Sequence, residues 1–398
     1  VIAADALDAD PWALGVENGW IDLRTRKLYP HDRAKLLTKR AGCAYDAAAT
    51  CPTWDRFLGE AQPDPEIRAL LARLVGWWST GAIKDHLLPM LIGCGANGKG
   101  TFIETITAML GGYARAVPAR MWVASGDEHP TLYMQLRGVR FAPSQETKHG
   151  QALDTATLKT LTGGDRITAR YMNKDFVTFM PSHKLVLATN ERPIVTDTTD
   201  GTWRRFAPIS WPVSFVGRED TGLIDALKRE LPGILAWAMR GLADYIAGGI
   251  RLPASIIAAR ESYRATSDPV ASFLTEQCVR DADAAITRAE VYGAYSRWCQ
   301  GDGTSSDRGQ GERPLGARRF AERLRAEKFT ERSNVRFTSG PKGEAGMRER
   351  GWGGLRLKTS DERAMDDATA AAEEAALAAL AAESHRTGGA NDTTQRAA

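Results

Sequence analysis

The stretch LLPMLIGCGANGKGTFIETI, residues 87–106, has the residue types and spacing of a loop that binds nucleotide phosphates. Gly93, Gly98 and Lys99 fit the pattern G-x-x-x-x-G-K, in which backbone N–H groups enclose phosphates and the lysine reaches the β and γ groups. A serine or threonine that ligates Mg²⁺ usually comes next, but this chain has Gly100 there and a threonine one residue later. The sequence therefore predicts an ATP and Mg²⁺ site with an unusual metal shell.

The elements around this loop agree with that interpretation. LLPMLIG predicts a buried strand, and KGTFIETITAML predicts a helix that stops at two glycines. The helix would place its N-terminal partial positive charge at the phosphates. A glycine-rich turn with chance spacing is the alternative, which the agreement of strand, loop, lysine and helix disfavours. The candidate ATP-binding residues are Gly93, Gly95, Ala96, Asn97, Gly98, Lys99, Gly100, Thr101 and Phe102.

Three further segments end in polar groups that suit a bound triphosphate. LRGVRFAPSQET reaches Glu146, a carboxylate that could orient the attacking water and support the metal. HKLVLATNERP reaches Asn190, whose amide could bind the γ-phosphate or that water. DGTWRRF presents Arg204 and Arg205, which suit charge on a transferring phosphoryl oxygen. Taken singly, these are equally a strand-end carboxylate, a turn-forming asparagine and a surface ion pair.

The strands that must position these groups alternate with helices. VRFAPSQE, HKLVLATN and RRFAPISWPVSF predict strands, TATLKTLTG predicts a helix, and ITARYMNKDFVTFMP predicts a hairpin. Strands and helices that alternate around a phosphate loop indicate an α/β fold with a mostly parallel sheet of the P-loop kind.

The order of these segments closely resembles the superfamily 3 helicase core of phage and plasmid primase-helicases, which is related to the poxvirus-type enzymes. The motifs that carry the resemblance are GANGKGTF, LRGVRF with SQE, LKTLTGGDRITAR, LVLATNERP and DGTWRRF. The resemblance is strong over residues 60–215 and extends to VENGWIDLRTRKLYPHD before them. It implies an AAA+ type ATPase that works as a homo-oligomeric ring, commonly a hexamer, and translocates on single-stranded DNA.

The resemblance also implies a role for each matching residue. Lys99 becomes the phosphate lysine, Glu146 the catalytic acid and Asn190 the sensor amide. Arg204 or Arg205 becomes the finger that reaches the ATP of a neighbouring subunit. The joint occurrence of these residues outweighs their separate alternatives.

The metal shell is where this chain departs from the usual ATPase pattern. Gly100 replaces the hydroxyl residue, and Glu146 stands without a second acid. Successive helical side chains diverge by about 100°, so Thr101 does not automatically reach the same point. We predict Thr101, water and Glu146 around Mg²⁺.

The predicted hairpin is the candidate grip on DNA. Met172, Asn173 and Lys174 fall at its tip, with Arg170 just before. In the resembling helicases a hairpin at this place projects into the central pore, where a lysine can take a DNA phosphate. Arg170, Asn173 and Lys174 are therefore predicted DNA contacts, and the alternative is a solvated hairpin with an ordinary turn lysine.

A basic module follows the ATPase region. TRAEVYGAYSRWCQ, GARRFAERLRAEKF and two strand-like pieces predict helix, turn, helix and wing. Residues 280–358 hold 17 Lys and Arg against 11 Asp and Glu, whereas residues 359–398 hold 3 against 8. Arg318 and Arg319 are the candidate DNA contacts of this winged-helix-like part. The interleaved acids make a protein-docking helix the alternative.

The length and composition of the chain, and the breaks in its helix and strand patterns, predict its domain boundaries. With 398 residues, 43% hydrophobic and 25% charged, the chain is typical of a soluble protein of two or three domains. We predict an N-terminal entry segment at 1–64, the ATPase domain at 65–250, a helical connector with the winged-helix-like domain at 251–358, and an alanine-rich acidic tail at 359–398.

Several protein classes are excluded by the sequence. No apolar run approaches the roughly 20 residues that cross a bilayer. Five dispersed cysteines without a C-x-x-C pair indicate neither zinc nor a disulfide framework. The chain starts at Val1 without a leader, which predicts a piece of a longer cytoplasmic protein, in the host cytoplasm if it is phage-encoded.

The leading functional hypothesis is an ATP-dependent DNA helicase, the motor part of a replication protein with a primase or origin-binding part upstream. An ATP-switched DNA-binding initiator or loader with little motor activity is the alternative from another class. A DNA-packaging motor is disfavoured because no nuclease-like acid cluster follows the ATPase.

Overall fold

The chain is described here by a computed structural model that falls into two compact units. The described residues are 6–122, 130–145, 153–195, 197, 199–300, 314–336, 348–366 and 368–369. The first unit is Val1–Ser267 and the second is Asp268–Ala398. None of the helices in these ranges combines the length and the apolar character that crossing a membrane requires.

The first unit contains nine named strands and eight named α-helices in its described part. The strands are β1 (Ala13–Val16), β2 (Gly19–Asp22), β3 (Lys27–Tyr29), β4 (Leu88–Ile92), β5 (Phe141–Gln145), β6 (Ile167–Ala169), β7 (Val177–Phe179), β8 (Lys184–Thr189) and β9 (Phe206–Ser210). The helices are α1 (Pro52–Ala61), α2 (Pro65–Ser79), α3 (Lys99–Leu110), α4 (Thr155–Gly163), α5 (Asp200–Trp203), α6 (Leu223–Arg229), α7 (Leu231–Gly248) and α8 (Ala254–Thr266).

A parallel sheet with the order β5-β8-β4-β9 forms the centre of the first unit. All six residues of β8 are buried, as the continuous apolar run predicts for a parallel strand covered on both faces. Successive side chains alternate between two cores: Leu91 and Ile209 pack on one face, and Met90 and Leu187 on the other. The predicted α/β class with a parallel sheet and helices is confirmed.

Two smaller antiparallel sheets accompany the parallel one. β1, β2 and β3 form a meander in the N-terminal region, and β6 pairs with β7 as the predicted hairpin. The meander is tied to the rest of the unit through Tyr113, whose hydroxyl accepts from the Gly15 N–H and donates to the Lys39 carbonyl, both at 3.0 Å. The entry segment therefore shares the core of the first unit.

Local sequence marks the ends of the helices that were predicted. Asp64 caps α2 by accepting from the Glu66 N–H at 2.8 Å, and Pro65 occupies its first turn. Gly111 ends α3 with φ of 51°, a conformation that a side chain would strain. The predicted strand RRFAPISWPVSF is shorter in the structure, where β9 covers only Phe206–Ser210.

The second unit has one antiparallel sheet and three named helices in its described part. They are α9 (Pro269–Gln277), β10 (Cys278–Thr287), α10 (Arg288–Gln300), α11 (Ala317–Ala326), β11 (Thr330–Arg336) and β12 (Arg348–Leu357). The sheet order is β10-β12-β11, and an aromatic cluster that includes Phe273, Tyr295, Phe320 and Trp352 fills the core. The two predicted helices and the two strands are present, whereas α9 and β10 were not predicted. Most of the acidic tail lies outside the described residues.

Candidate functional site

The loop between β4 and α3 is held on both sides by neighbouring strands. The Gly93 N–H donates to the Thr189 carbonyl at the end of β8, at 3.3 Å, and the Phe215 N–H beyond β9 donates to the Ala96 carbonyl at 2.7 Å. Ala96 and Gly98 have φ of 51° and 85°, so the loop turns sharply before α3 begins. The sequence pattern thus forms a compact loop directly at the carboxyl end of β4.

This loop lies at the point of the sheet where the chain reverses its direction of travel. β4 is flanked by β8 and β9; the next strand along the chain, β5, is added on the β8 side, whereas β9 is added on the opposite side. In open α/β sheets such a switch point opens a crevice at the carboxyl ends of the strands, where ligands bind. The position of the loop is therefore the expected one for a ligand site.

Lys99 is the first residue of α3 and is only 7% exposed. Its ammonium donates to Asn97 Oδ1 at 3.1 Å, to Asn190 Oδ1 at 3.3 Å and to the Gly93 carbonyl. Burial lowers the pKa of Lys99 from its ordinary value. These three acceptors are neutral oxygens, so within the described part of the chain they stabilise the ammonium without cancelling its charge, which favours an anion beside it.

Glycines divide the loop into a packed part and an open part. A Cβ at Gly93 would lie 2.4 Å from Asn97 Nδ2 and 2.5 Å from the Trp211 carbonyl, so a side chain there would clash. A Cβ at Gly95 or Gly100 would meet no heavy atom of the described residues within 4 Å. The open part leaves room for phosphates to approach the backbone.

Aromatic packing fixes α3 behind the loop. Phe102 is fully buried, and its ring centroid lies 5.6 Å from that of Trp54 in α1, 6.4 Å from that of Trp78 in α2 and 5.5 Å from that of Trp211. The side chain of Phe102, a predicted ATP-binding residue, therefore belongs to the core and positions α3.

The predicted metal ligands are only partly within the described residues. Thr101 is half-buried in the first turn of α3, and Gly100 is exposed. β5 ends at Gln145, and Glu146 lies outside the described residues. In the part of the chain that the structure describes, no group of three or more His, Cys, Asp or Glu side chains could hold a metal.

Ser144, near the end of β5, was not given a role by the sequence analysis. It is 1% exposed, and its hydroxyl has no hydrogen-bond partner among the described residues. It precedes the strand end that leads to Glu146.

The two arginines of DGTWRRF are placed differently. Arg205 donates through Nε to Thr162 Oγ1 at 3.2 Å and through Nη1 to the Gly201 carbonyl. Arg204 is exposed and lines a cavity of about 420 Å³ together with Lys84. Arg205 is therefore held by hydrogen bonds within the first unit, whereas Arg204 is accessible.

Asp197 orders the turn that carries these arginines, a role that the sequence analysis missed. Its carboxylate accepts from Lys159 Nζ and Thr202 Oγ1, each at 2.6 Å, and from the Thr199 N–H at 2.8 Å. Burial alone would raise the pKa of Asp197, but the hydrogen bonds from Lys159, Thr202 and Thr199 outweigh it and hold the pKa well below its usual range. The cluster VTDTTD is the sequence pattern that could have indicated this turn.

The hairpin places its predicted DNA contacts at an exposed tip. Asn173 has φ of 54° in the turn, and the Lys174 N–H donates to the Tyr171 carbonyl at 3.1 Å. Arg170 lies with its guanidinium carbon 4.8 Å from the ring centroid of Phe176 across the hairpin. The predicted tip is confirmed as a turn, and its contact with DNA stays a prediction.

In the second unit, acids accompany the basic side chains of α11. Arg318 is 93% exposed and pairs with Glu322 at 3.2 Å, and Arg319 is exposed on the same helix. Arg323 contacts Asp268, the residue that caps α9. The positive charge of this helix is thus partly balanced within the unit, and both functional interpretations of α11 stay open.

Three segments of the chain match known families. Residues 1–63 match "D5 N terminal like", residues 91–205 match a family of unknown function, and residues 265–347 match "Poxvirus D5 protein-like". "Putative helicase L207/L206" of Acanthamoeba polyphaga mimivirus is 26% identical over 319 residues. "Putative primase C962R" of African swine fever virus (strain Badajoz 1971 Vero-adapted) is 27% identical over 325 residues. The resemblance to poxvirus-type primase-helicases is confirmed.

These two viral relatives are much longer than the matched region. The two matches cover 73% of this chain but 33% and 34% of the relatives, so the chain spans about one third of their length. Among solved structures, the apo structure of the NrS-1 C terminal region (305-718) has a TM-score of 0.48 and 12% identity, covering 78% of this chain and 76% of that chain.

Proposed function

We propose that this chain is an ATP-dependent DNA translocase of the superfamily 3 helicase type, the motor part of a longer replication protein. The observation that carries the proposal is the contact of Lys99 with Asn190 across two adjacent parallel strands, behind an open glycine loop. The names of the relatives, helicases and primases of large DNA viruses, support a role in DNA replication. An AAA+ type core and a winged-helix-like second unit are part of the same proposal.

The residues of the site would share the work on ATP. Backbone N–H groups of the loop and the ammonium of Lys99 would bind the β- and γ-phosphates, while Asn190 would orient the attacking water from the next strand. Glu146 would accept the proton of that water. Mg²⁺, held by Thr101, water and Glu146, would neutralise charge on the phosphates.

Arg204 is the better candidate for the finger, and it would act on a neighbouring subunit. The Arg205 carbonyl accepts from the Leu88 N–H, so both arginines lie at the amino end of β4. Lys99 follows the carboxyl end of that strand, which is five residues long and spans roughly 17 Å. A group at the amino ends of the strands does not reach phosphates that are bound at their carboxyl ends in the same subunit. The proposal therefore requires a homo-oligomer, as a hexameric ring would provide.

DNA contacts would come from both units. Arg170, Asn173 and Lys174 on the hairpin would bind the translocated single strand, and Arg318 and Arg319 on α11 would add a weaker contact with DNA. The exposure of all five side chains supports this assignment.

One observation favours a second candidate, an ATP-switched initiator or loader. Gly100 leaves the usual metal position without a side chain although there is space for one. A site that binds ATP but holds Mg²⁺ loosely would turn over slowly and act through assembly.

Steady-state ATP hydrolysis with Mg²⁺, with and without single-stranded DNA, separates these candidates. A translocase is expected to show turnover that DNA stimulates, and Lys174→Ala should blunt the stimulation while basal turnover survives. ATP-dependent assembly without turnover would instead favour the initiator or loader.

Mixing two inactive variants tests the finger. The Arg204→Ala subunit has an intact phosphate-binding loop, and the Lys99→Ala subunit has an intact Arg204. If Arg204 acts in trans, the mixed oligomer contains some intact sites and recovers part of the turnover. No recovery, with mixed oligomers verified by mass, would contradict the assignment.

A further inference from the structure

We propose that a single strand of nucleic acid lies along one face of the β6–β7 hairpin, with its bases stacked on Phe176 and Met180 and its phosphates beside Arg166 and Arg170. This inference rests on the proposed translocase and extends the DNA contact from the hairpin tip to a whole face. The argument comes from which side of the hairpin is buried and which residues remain outside.

The hairpin is anchored by one face only. Ile167 and Ala169 are buried, and Phe179 packs against the core that also contains Leu185. Side chains alternate along a strand, so the residues between these must point away from the core. The outer face is exposed because the inner face already holds the hairpin in place.

The outer face has two chemically different edges. Thr168 and Thr178 pair across the strands, with their hydroxyl oxygens 2.9 Å apart. Arg170 lies against Phe176 on the same face, as the 4.8 Å contact shows. Arg166 comes directly before β6 and Met180 directly after β7, two residues from Thr168 and Thr178, so the same alternation continued by one residue places them on this face. One edge is therefore cationic, and the other carries an aromatic ring and a thioether.

Exposure of these apolar groups is large. Phe176 is 57% exposed and Met180 is 60% exposed. Tyr171 and Met172 in the turn are 55% and 67% exposed, so apolar surface continues towards the tip. Aromatic side chains beside a cationic track are the arrangement that binds single strands irrespective of sequence, since each base has a π-face and each nucleotide a phosphate.

Charge decides for a nucleic acid over an apolar partner. Lys174 in the turn adds a third exposed cation to the two arginines, against two exposed acids of the hairpin, Asp165 and Asp175. The two arginines are four residues apart, about 13 Å along the strand, which spaces them for separate phosphates. A polyanion with flat bases matches both edges at once.

Fluorescence anisotropy with two labelled oligonucleotides of equal length tests the inference, one of thymidines and one of abasic sites. The parent is expected to prefer the thymidine strand. Phe176→Ser should weaken thymidine binding by about ten-fold and erase the preference, because stacking energy is lost. Phe176→Trp should restore both, and Ile257→Ser, an exposed apolar residue on α8, serves as the matched control.

Arg166→Ser tests the other edge and should weaken both oligonucleotides alike while reducing the salt dependence of binding. If Phe176→Ser binds like the parent whereas Lys174→Ala does not, the strand touches only the tip, and the inference is overturned while the translocase stands. If Phe176→Ser changes the oligomer mass, the face is a subunit contact, and the inference is overturned. A parent that binds neither oligonucleotide overturns both proposals.

Discussion

Two buried lysines lie at opposite ends of the strands of the same parallel sheet: one at the carboxyl ends, called here the ligand end, and one at the amino ends, called the structural end. Lys99 stands beside Asn190, which follows the carboxyl end of β8, and Lys184 is the first residue of β8. Lys184 is 3% exposed and donates to the carbonyl and hydroxyl of Thr80 and to the Ser182 carbonyl. Burial lowers the pKa of both lysines. Burial and a lowered pKa therefore do not by themselves identify a ligand site.

The surroundings of the two ammonium groups make the difference. Lys184 and the neighbouring Arg140 donate to the residues that end α2, Thr80 and Ser79, where the helix leaves carbonyls without partners. Those acceptors are permanent parts of the fold. Lys99 instead faces a loop whose glycines leave open space. A buried cation becomes a binding group when the anion that would match it has to come from outside.

The largest expected contrast is between Lys99→Ala and Lys184→Ala. Lys99→Ala should reduce ATP turnover on the order of 10²–10³-fold, because a charge-stabilising donor is lost, with a change in unfolding free energy below about 1 kcal/mol. Lys184→Ala should lower the unfolding free energy by about 2 kcal/mol, because buried carbonyls lose their donor. Turnover assays and urea denaturation measure the two effects. If Lys99→Ala unfolds, or if Lys184→Ala is stable but inactive, the assignment of a binding role to Lys99 and a structural role to Lys184 is contradicted.

The stability of the structural end, where Lys184 lies, should also depend on pH because of the neighbouring His183. Burial lowers the pKa of His183 to about 4, although its hydrogen bond with the Leu161 carbonyl opposes this and the charge of Lys184 adds to it. The unfolded chain binds a proton below about pH 6.5, whereas the folded chain stays neutral until about pH 4. Unfolding thus takes up a proton in this window, and the unfolding free energy should fall by up to about 3 kcal/mol as pH drops through it.

His183→Gln keeps an N–H donor for Leu161 and cannot titrate. Urea denaturation at pH 4.5 and pH 6.5 should therefore show a smaller acid loss in this variant than in the parent. An equal loss in both proteins would assign the acid sensitivity to other groups.

Asn190→Asp tests whether the Lys99 ammonium at the ligand end binds the phosphates of ATP. A carboxylate beside the Lys99 ammonium supplies the charge that the phosphates would bring, so ATP must compete with an internal ion pair. We expect the KM for ATP to rise about ten-fold, the equivalent of about 1.4 kcal/mol. Asn190→Ala is the control and should lower kcat more than it raises KM. Unchanged KM in Asn190→Asp would mean that the two groups part when ATP binds.

Gly100→Ser should have the smallest effect. The site has room for the side chain, and a hydroxyl there matches the usual Mg²⁺ ligand, so half-maximal turnover should need a few-fold less Mg²⁺. Removing a glycine from the helix should also add about 0.5 kcal/mol of stability. Gly100→Ala supplies the helix effect without the hydroxyl. Equal Mg²⁺ dependence in the two variants would show that Thr101 and water already complete the shell.

The sequence predicted the residues at the ligand end of the strands better than those at the structural end. Lys99 and Asn190 were predictable because phosphate chemistry constrains their types and the strands before them are continuous apolar runs. Lys184 and Arg140 were not, since their partners are backbone carbonyls from α2 and the N-terminal region, and no local pattern encodes such distant pairing. Asp197 escaped for a similar reason, because its charge partner Lys159 is 38 residues away.

The missed elements have the same origin. β10 was not predicted because CVRDADAAIT mixes acids with small residues, and it becomes a strand through its pairing with β12, far along the chain. α1 is only ten residues long and was not predicted as a helix. Its helical form depends on burying Trp54 against the rest of the first unit.

The stacking of Trp54 on Phe102 has a consequence for how such chains can recombine. Residues 1–63 and 91–205 match different families, yet these two rings join them in one core. An exchange of either segment alone between two relatives would pair surfaces that never adapted to each other. Inheritance of the two as one block is therefore expected wherever a hybrid of this lineage still works.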